Sequence, residues 1–400
     1  MKRATFAFIF ITVLLDMLAL GIIVPVLPKL VIQFRGGDTA SAAAIYGLFG
    51  TVWAGMQFLF APVLGAISDR FGRRPVILLS TLGLGLDYIL MAVAPTLGWL
   101  FVGRVISGVT SASYATGFAY IADVTPAERR AAKYGLLGAA FGVGFIIGPA
   151  VGGLLGAIHL RLPFWVAAAL SLTGTAYGFF ILPESLPADR RAPFDLRKAN
   201  PLGSLELIRA HGTIAGLAAA VFLYRVAHDA MPALFVIYGD FRFAWNERTV
   251  GLVLAVVGAT SMIVQAVLVG RSVKRFGERT SMLIGFAFGV AGYVLYGLAP
   301  TGALFAAAVP LSALFGLAYP SLQGIITARV GADQQGRLQG ALASITGIAG
   351  VLAPLLFTQT FAVAVNVREP VYLPGAPFLL AAVLLVGAAF IAGRAATDRS

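Results

Sequence analysis

The sequence predicts an all-α membrane protein whose twelve transmembrane helices form two six-helix bundles. Hydrophobic residues make up 59% of the 400 residues and charged residues only 12%, whereas soluble domains carry roughly 25% charged residues. Apolar stretches long enough to cross a bilayer, about 20 residues each, recur along the whole chain. Matching glycine and proline positions recur in the two halves of the chain at one constant difference in residue number. These observations exclude a water-soluble globule.

Twelve apolar stretches are separated by short charged loops, and none shows the strict alternation of a transmembrane β-strand. The predicted spans, in order, are Thr5–Val31, Ala43–Ser68, Pro75–Ala94, Leu97–Ala122, Tyr134–Ile158, Pro163–Leu182, Thr213–Tyr238, Val250–Val269, Ser281–Leu298, Gly302–Thr327, Leu338–Val363 and Ala376–Ile391.

The basic residues indicate how the spans are oriented. Of the 29 Lys and Arg residues, 21 lie in the termini and in alternate loops, and six lie in the opposite loops. Basic residues concentrate on the cytoplasmic side of membrane proteins. We therefore expect a multi-pass protein of the cell (inner) membrane with both termini cytoplasmic. The net charge of +12 is spread over seven segments, which leaves no basic stripe for nucleic acid.

Two halves of the chain derive from one template. Gly72 corresponds to Gly277 at an offset of 277 − 72 = 205 residues, and Pro149 corresponds to Pro354 at the same offset. Both copies begin in the cytoplasm, so the repeat is parallel, with an axis along the membrane normal. We expect an N-terminal bundle over residues 1–182, a cytoplasmic linker over 183–211 and a C-terminal bundle over 212–400.

The segment GAISDRFGRRP at 65–75 places one acid and three arginines in a tight turn between the second and third spans. Asp69 can bind arginines or the positive N-terminus of a helix. The turn resembles the loop that closes the cytoplasmic gate of major facilitator transporters; the alternative is a charged turn that only enforces topology. The gate residues are Gly65, Asp69, Arg70, Gly72, Arg73 and Arg74.

A glycine-rich segment in the fifth span resembles the motif that marks antiporters of the same superfamily. Its small residues let helix backbones approach closely, and plain helix packing is the alternative explanation. The residues of this motif are Gly144, Gly148, Pro149, Gly152 and Gly153.

Ionisable side chains inside the spans are candidates for proton coupling, because a charge in hydrocarbon is costly. Asp16, Asp87 and Arg104 fall within the first, third and fourth spans. Arg225 and the pair His228–Asp229 share one face of the seventh span. The alternative for both groups is a static interhelical or intrahelical ion pair that holds the fold.

Five polar or aromatic side chains within spans are candidates for substrate binding, and each of the three glutamines could equally bond another helix. They are Gln57, Tyr114, Tyr224, Gln265 and Gln323.

As a whole the sequence resembles the tetracycline-efflux family of the major facilitator superfamily, whose members are twelve-helix drug/proton antiporters. The likeness includes Leu15–Asp16, Asp87–Tyr88, Tyr120–Asp123, the Pro-Glu-Ser segment at 183–185 and Gln335–Gly340. It implies that Asp16, Asp87 and Arg104 hold the family's membrane-embedded charges. Tetracycline pumps of the family carry a histidine in helix eight and an aspartate in helix nine, where this chain has Ser261 and Gly289. We therefore expect tetracycline to be a poor substrate.

The predicted function is proton-coupled export of a hydrophobic or amphipathic small molecule by alternating access; import of a metabolite on the same scaffold is the alternative. No phosphate loop, His-Glu-x-x-His site or cysteine is present, so we expect no enzyme activity, no metal and no cofactor. The expected partners are the substrate, protons and lipid, with the protein working as a monomer.

Overall fold

A computed structural model describes residues 3–111, 113–191, 212–331, 334–366 and 372–396. Its described residues form helices joined by short connections and include no strand. The first helices are α1 (Arg3–Ile23), α2 (Leu27–Phe34), α3 (Thr39–Phe71), α4 (Arg73–Val93), α5 (Leu97–Thr110), α6 (Ser113–Val124), α7 (Ala127–Ile158) and α8 (Leu162–Ile181).

After the part of the linker that lies outside the described residues, the helices continue to the C-terminus. They are α9 (Gly212–His228), α10 (Ala230–Phe243), α11 (Glu247–Ile263), α12 (Val269–Leu298), α13 (Gly302–Ala307), α14 (Val309–Ala313), α15 (Ala318–Thr327), α16 (Gln335–Asn366) and α17 (Ala376–Ala395). A π-helical turn, Val264–Leu268, connects α11 to α12.

The prediction of an all-helical membrane protein is confirmed. Within the described residues, nine helical stretches are long and apolar enough to cross a membrane, and Leu97–Thr110 and Gly142–Ile158 are shorter apolar helices. One of the nine, Glu247–Leu298, runs for 52 residues and contains a non-helical glycine at 277. The count of twelve spans stays a prediction.

Several predicted spans consist of two helices rather than one. The first is broken between Ile23 and Leu27, and the seventh is broken at Asp229. The sequence predicts both spans as continuous helices, so these interruptions are corrections; each span still forms one stretch long enough to cross a membrane, Ile9–Phe34 and Ile214–Phe243. Proline is the physical reason, because it has no N–H to donate to the carbonyl four residues earlier. Pro25 lies within the first break and Pro28 just after it, and Pro232 follows the second.

The repeat inferred from the sequence is visible in backbone conformation. Gly72 and Gly277 both adopt positive φ, 107° and 78°, where a side chain would be strained. Pro149 lies inside α7 and Pro354 inside α16, both within 32-residue helices. The two copies therefore share a backbone turn with positive φ after the second predicted span of each half.

The chain divides into two compact units. One consists of Met1–Phe34, Val52–Asn200 and Asn246–Ala255, and the other of Arg35–Thr51, Pro201–Trp245 and Val256–Ser400. Each has an apolar core; in the first, Ile9, Tyr120 and Ile121 are fully buried together. The predicted domain boundaries at 182 and 212 stay a prediction.

Candidate functional site

Asp16 lies on α1 with its side chain almost completely covered by the surrounding helices. Its Oδ1 atom accepts no hydrogen bond from the described residues. Beside it is a cavity of about 10 Å³ lined by Thr12, Thr81, Gly117 and apolar side chains. A space of this size holds about one water molecule. Asp16 is therefore a buried acid with one open acceptor position next to a water-sized cavity.

Asp87 on α4 and Arg104 on α5 form a second buried group. The Arg104 Nη2 atom lies 3.9 Å from Asp87 Oδ2 and 3.2 Å from the sulfur of Met91. Neither carboxylate oxygen of Asp87 accepts a hydrogen bond from the described residues. Gly103 allows the close approach, because a Cβ there would lie 2.7 Å from Asp87 Oδ1. The geometry is a loose ion pair rather than a tight, fully bonded bridge.

The turn between α3 and α4 is organised around the guanidinium of Arg73. Its Nη1 atom lies 2.5 Å from Asp69 Oδ1 and donates to Ser68 Oγ at 2.6 Å, while its Nε donates to Asp123 Oδ2 at 3.2 Å. Arg73 is largely buried by these contacts, whereas the Asp69 side chain is half exposed. The predicted pairing of Asp69 with an arginine is present in this turn. Of the other gate residues, Gly65 is part of α3 and Arg70 lies exposed at its end.

Glu184 has a position at this turn that sequence reasoning missed. Its carboxylate accepts the backbone N–H groups of Arg73 at 2.8 Å and Arg74 at 3.2 Å, at the start of α4. An anion at a helix N-terminus is favourable because the unpaired N–H groups and the helix dipole attract it. A Cβ at Gly72 would meet this carboxylate. The local signal is the Pro-Glu-Ser segment, which carries the family resemblance but does not indicate a contact with α4.

Asp123, near the end of α6, belongs to the same group of contacts. Besides the bond from Arg73, its Oδ2 accepts a hydrogen bond from Ser185 Oγ at 3.0 Å. Nearby, Tyr120 donates its hydroxyl to the carbonyl of Pro183 at 2.8 Å. The end of α6 and the start of the linker are thus both attached to the turn between α3 and α4.

The second copy of the turn is built differently. Around Gly277, the hydroxyls of Ser272 and Ser281 lie 2.8 Å apart and are buried. Among the described residues, no atom lies within 4 Å of a Cβ placed on Gly277. The bend is retained in the second half, and a neutral hydrogen bond spans it where the first half has ionic contacts.

The glycines of α7 lie against other backbones. A Cβ on Gly148 would lie 2.7 Å from the Cα atom of Gly21 in α1, and one on Gly144 would lie 2.8 Å from the carbonyl carbon of Met17. Gly152 meets Ile22 in the same way, and Gly153 meets Gly251 at the start of α11. Pro149 lies within α7, between these contacts. The motif forms a seam in which helices touch without intervening side chains.

Arg225, His228 and Asp229 meet at the break between α9 and α10. The Asp229 Oδ1 atom lies 3.4 Å from Arg225 Nη2 and 3.2 Å from His228 Nδ1. Tyr224 stacks on the His228 ring with centroids 6.0 Å apart. Arg225 and His228 therefore both contact Asp229, at the break of the helix.

The remaining substrate candidates lie in unlike environments. Gln57 is half-buried in α3, and Gln265 is exposed in the π-helical turn. Gln323 donates to Gln339 of α16 at 3.3 Å, which is the helix-bonding alternative. Tyr224 is buried, and the Tyr114 side chain lies outside the described residues.

The two positions that depart from tetracycline pumps differ in the space around them. Ser261 lies half-buried in α11. Gly289 is buried in α12, where a Cβ would lie 2.6 Å from Phe315 Cδ2 and 2.8 Å from Leu385 Cδ1. An aspartate at 289 would not fit without displacing these side chains.

The sequence matches the Major Facilitator Superfamily over residues 9–354 and 230–399. It is 42% identical over 355 residues to the class C tetracycline resistance protein of Escherichia coli, covering 89% of each chain. It is 35% identical over 396 residues to the class H tetracycline resistance protein of Pasteurella multocida, covering 98% of this chain and 96% of that one.

Solved structures of the same fold are more distant in sequence. The human organic anion transporter MFSD10 (TETRAN) superposes with a TM-score of 0.71 at 24% identity, over 98% of this chain and 99% of that one. The nucleoside transporter NupG superposes with a TM-score of 0.78 at 15% identity, over all of both chains. At these identities the likeness concerns the fold.

The family match, the identities to resistance proteins over most of the chain and the all-helical membrane architecture agree. This chain belongs to the major facilitator superfamily, and within it to the tetracycline-efflux-like family of multi-pass membrane transporters.

Proposed function

We propose that the protein is a proton-coupled exporter of a hydrophobic or amphipathic small molecule, working by alternating access in the cell (inner) membrane with both termini cytoplasmic. The observation that carries the proposal is Asp16, a buried carboxyl with an open acceptor beside a water-sized cavity. The 35–42% identity to proteins named for tetracycline resistance supports export as the direction.

In this proposal Asp16 takes up a proton when its cavity is open to the outside and releases it when the cavity is open to the cytoplasm. In a site without water, an ionised carboxyl has a much higher free energy than a neutral one. The protonation state therefore biases which conformation is favoured. Inward movement of one proton charge supplies about 2.3 kcal/mol per 100 mV of membrane potential.

Asp87 and Arg104 act in the proposal as the partner group of the same half. Their 3.9 Å separation leaves both carboxylate oxygens open to a proton or a water molecule. A pair that is not fully bonded can change its partners at less cost than a tight one. Arg225, His228 and Asp229 are assigned to coupling in the other half.

The contacts around Arg73 form the cytoplasmic gate in this proposal. Asp69, Asp123 and Glu184 hold the turn, the end of α6 and the start of the linker together. Opening the gate then requires several charge-assisted hydrogen bonds to separate, each stronger than a neutral one. The glycine seam keeps α1 and α7 together while the gate opens and closes.

Proteoliposomes with an imposed pH gradient test this function. We expect dyes or antibiotics from an amphipathic panel to accumulate against their own gradient only when protons flow the other way, and a protonophore to abolish the accumulation. Asp16→Asn should lose accumulation yet keep substrate exchange without a gradient. Asp38→Asn, at an exposed acid, is the matched control and should behave as the unmodified protein.

Two results would overturn the proposal. Accumulation in the same direction as proton flow would identify a symporter. Uphill transport by Asp16→Asn at the level of Asp38→Asn would show that Asp16 has only a structural role.

A further inference from the structure

The break between α9 and α10 follows from one missing donor. In a continuous helix the carbonyl of His228 would accept the N–H of residue 232, but that residue is proline and has none. The hydroxyl of Tyr293 on α12 supplies a replacement and donates to the His228 carbonyl at 3.2 Å. The break is therefore held in place by a side chain from another helix.

The charged side chains at this break are not equally exposed. The side chains of Arg225 and His228 are 36% and 41% exposed, whereas that of Asp229 is 14% exposed. Asp229 thus lies behind the two basic groups, which are within 3.4 Å of it. Exposed charges at the depth of a membrane span must face a water-filled space, because lipid contact is too costly. The face presented to that space carries the guanidinium donors of Arg225 and the ring of His228, whose nitrogens donate or accept according to the tautomer.

The guanidinium of Arg225 has more hydrogen-bond donors than its contact with Asp229 uses. A guanidinium has five N–H donors, and Nη2 is the atom that faces Asp229. Its Nε is buried and has no hydrogen-bond partner among the described residues, whereas the side chain as a whole is 36% exposed. The usual ligand for a guanidinium with open donors is a carboxylate or another oxyanion, which it can bind with two parallel hydrogen bonds.

Aromatic rings continue the same surface. Tyr224 stacks on Tyr319 with centroids 5.3 Å apart and packs on Phe315 at 4.6 Å, and the His228 ring extends this group at 6.0 Å from Tyr224. Tyr224 itself is buried, so the rings form a packed wall and not an open cage. His228 exposes its ring beside the guanidinium, and the buried rings of Tyr224 and Phe315 support that ring.

We propose that the break in the seventh span is a binding site for an amphipathic organic anion, whose carboxylate or equivalent oxyanion pairs with Arg225 while its ring system lies against the exposed ring of His228. This inference rests on the proposed function and names the substrate class for it. Asp229 is the internal competitor: it holds the guanidinium when the site is empty and gives up part of that contact when the ligand's anion arrives.

A cationic ligand fits the geometry less well. Its counter-ion would have to be Asp229, which is mostly covered and already faces two basic groups at 3.2 and 3.4 Å. Any cation would also approach past the exposed guanidinium. Like charges at this distance repel, most strongly where water is scarce.

The experiment measures binding of three matched probes to the full chain in lipid nanodiscs by titration calorimetry, with empty nanodiscs subtracted for partition. The probes are 2-naphthylacetate, 2-naphthylacetamide and 2-(2-naphthyl)ethylamine, which share a ring system and differ in charge. We expect the carboxylate to bind at least tenfold more tightly than the amide or the amine. No proton gradient is present, so failure here leaves the export proposal untouched.

Variants separate binding from folding. Arg225→Gln should remove the preference for the carboxylate, and Arg225→Lys should keep part of it. Asp229→Asn should strengthen carboxylate binding several-fold by releasing the guanidinium, whereas a merely structural ion pair predicts weaker binding or none. Arg242→Gln, at an exposed basic residue near the end of α10, is the control and should stay within twofold of the unmodified protein.

Two results would overturn this inference or relocate the site. Equal binding of the three probes, or tighter binding of the amine, would overturn the inference even if every variant failed to fold, because that comparison uses the unmodified protein. A preference for the carboxylate that survives Arg225→Gln would place the anion elsewhere in the protein.

Discussion

The seam between α1 and α7 allows a quantitative prediction from a single methyl group. Gly148→Ala would put a new carbon 2.7 Å from Gly21 Cα, 2.8 Å from the Gly21 carbonyl carbon and 3.1 Å from the Ile22 nitrogen. All three neighbours are backbone atoms, which cannot rotate away as a side chain could. Overpacking of a tightly packed interior costs about 1–3 kcal/mol.

A second effect of the substitution has the opposite sign. Replacing glycine by alanine inside a helix favours the helix by about 1 kcal/mol, because glycine has more backbone freedom to lose. Gly270→Ala in α12 provides this gain alone, since no atom of the described residues lies within 4 Å of a Cβ at that position. The difference in unfolding free energy between the two variants therefore isolates the overpacking cost, and we expect about 1–3 kcal/mol.

The assay is unfolding of the purified protein in mixed micelles by sodium dodecyl sulfate, followed by fluorescence of its four tryptophans. Gly148→Ala should unfold at lower denaturant than Gly270→Ala. Gly21→Ala should resemble Gly148→Ala, and the double variant should cost less than the sum, because both changes force the same helices apart. Equal stability of Gly148→Ala and Gly270→Ala would mean that α1 and α7 do not touch through their backbones.

Four further predictions concern other contacts. Tyr293→Phe should lower the unfolding free energy by about 1–3 kcal/mol in the same titration, since the His228 carbonyl would lose the donor that replaces the missing N–H; an unchanged free energy would refute that contact. Glu184→Gln should cost about 1 kcal/mol by weakening the N-terminus of α4, and no loss would show that the carboxylate does not hold that helix. Expression should give little tetracycline resistance, and Gly289→Asp should lower the amount of folded protein instead of restoring resistance, because Phe315 and Leu385 fill the space; strong resistance of the unmodified chain would contradict this. A cysteine placed at Asp189 should react with an impermeant reagent only in inverted vesicles, and labelling from outside intact cells would reverse the assigned topology.

The sequence predicts the architecture well because the length of the apolar runs and the spacing of the repeat do not depend on tertiary contacts. Bilayer thickness determines the length of the apolar runs, and the offset of 205 residues, 277 − 72, requires only that two copies share landmarks. Gly72 and Gly277 share positive φ, and Pro149 and Pro354 lie within equivalent helices. Backbone geometry of this kind depends on local residue type.

The details of the site depend on residues far apart in the chain, which periodicity cannot pair. Glu184 lies 111 residues from Arg73, and its role follows only when α4 and the start of the linker are seen together. The break at Asp229 does carry a local signal, namely Pro232, but proline is tolerated inside α3, α7 and α16. Whether proline breaks a helix depends on the partner that replaces its missing donor, here Tyr293.

The duplicated turn has a consequence for how the transporter responds to its medium. The bend at Gly72 is held by charges that include a half-exposed carboxylate, while the bend at Gly277 is spanned by two buried hydroxyls. Dissolved salt at 0.1 M largely screens exposed charges more than about 10 Å apart, weakens closer and partly buried pairs less, and leaves a neutral buried bond almost unaffected. Added salt therefore weakens the contacts of Arg73 at the first bend modestly and leaves the Ser272–Ser281 hydrogen bond at the second almost unchanged, so the contacts that hold two copies of one turn differ in their response to ionic strength.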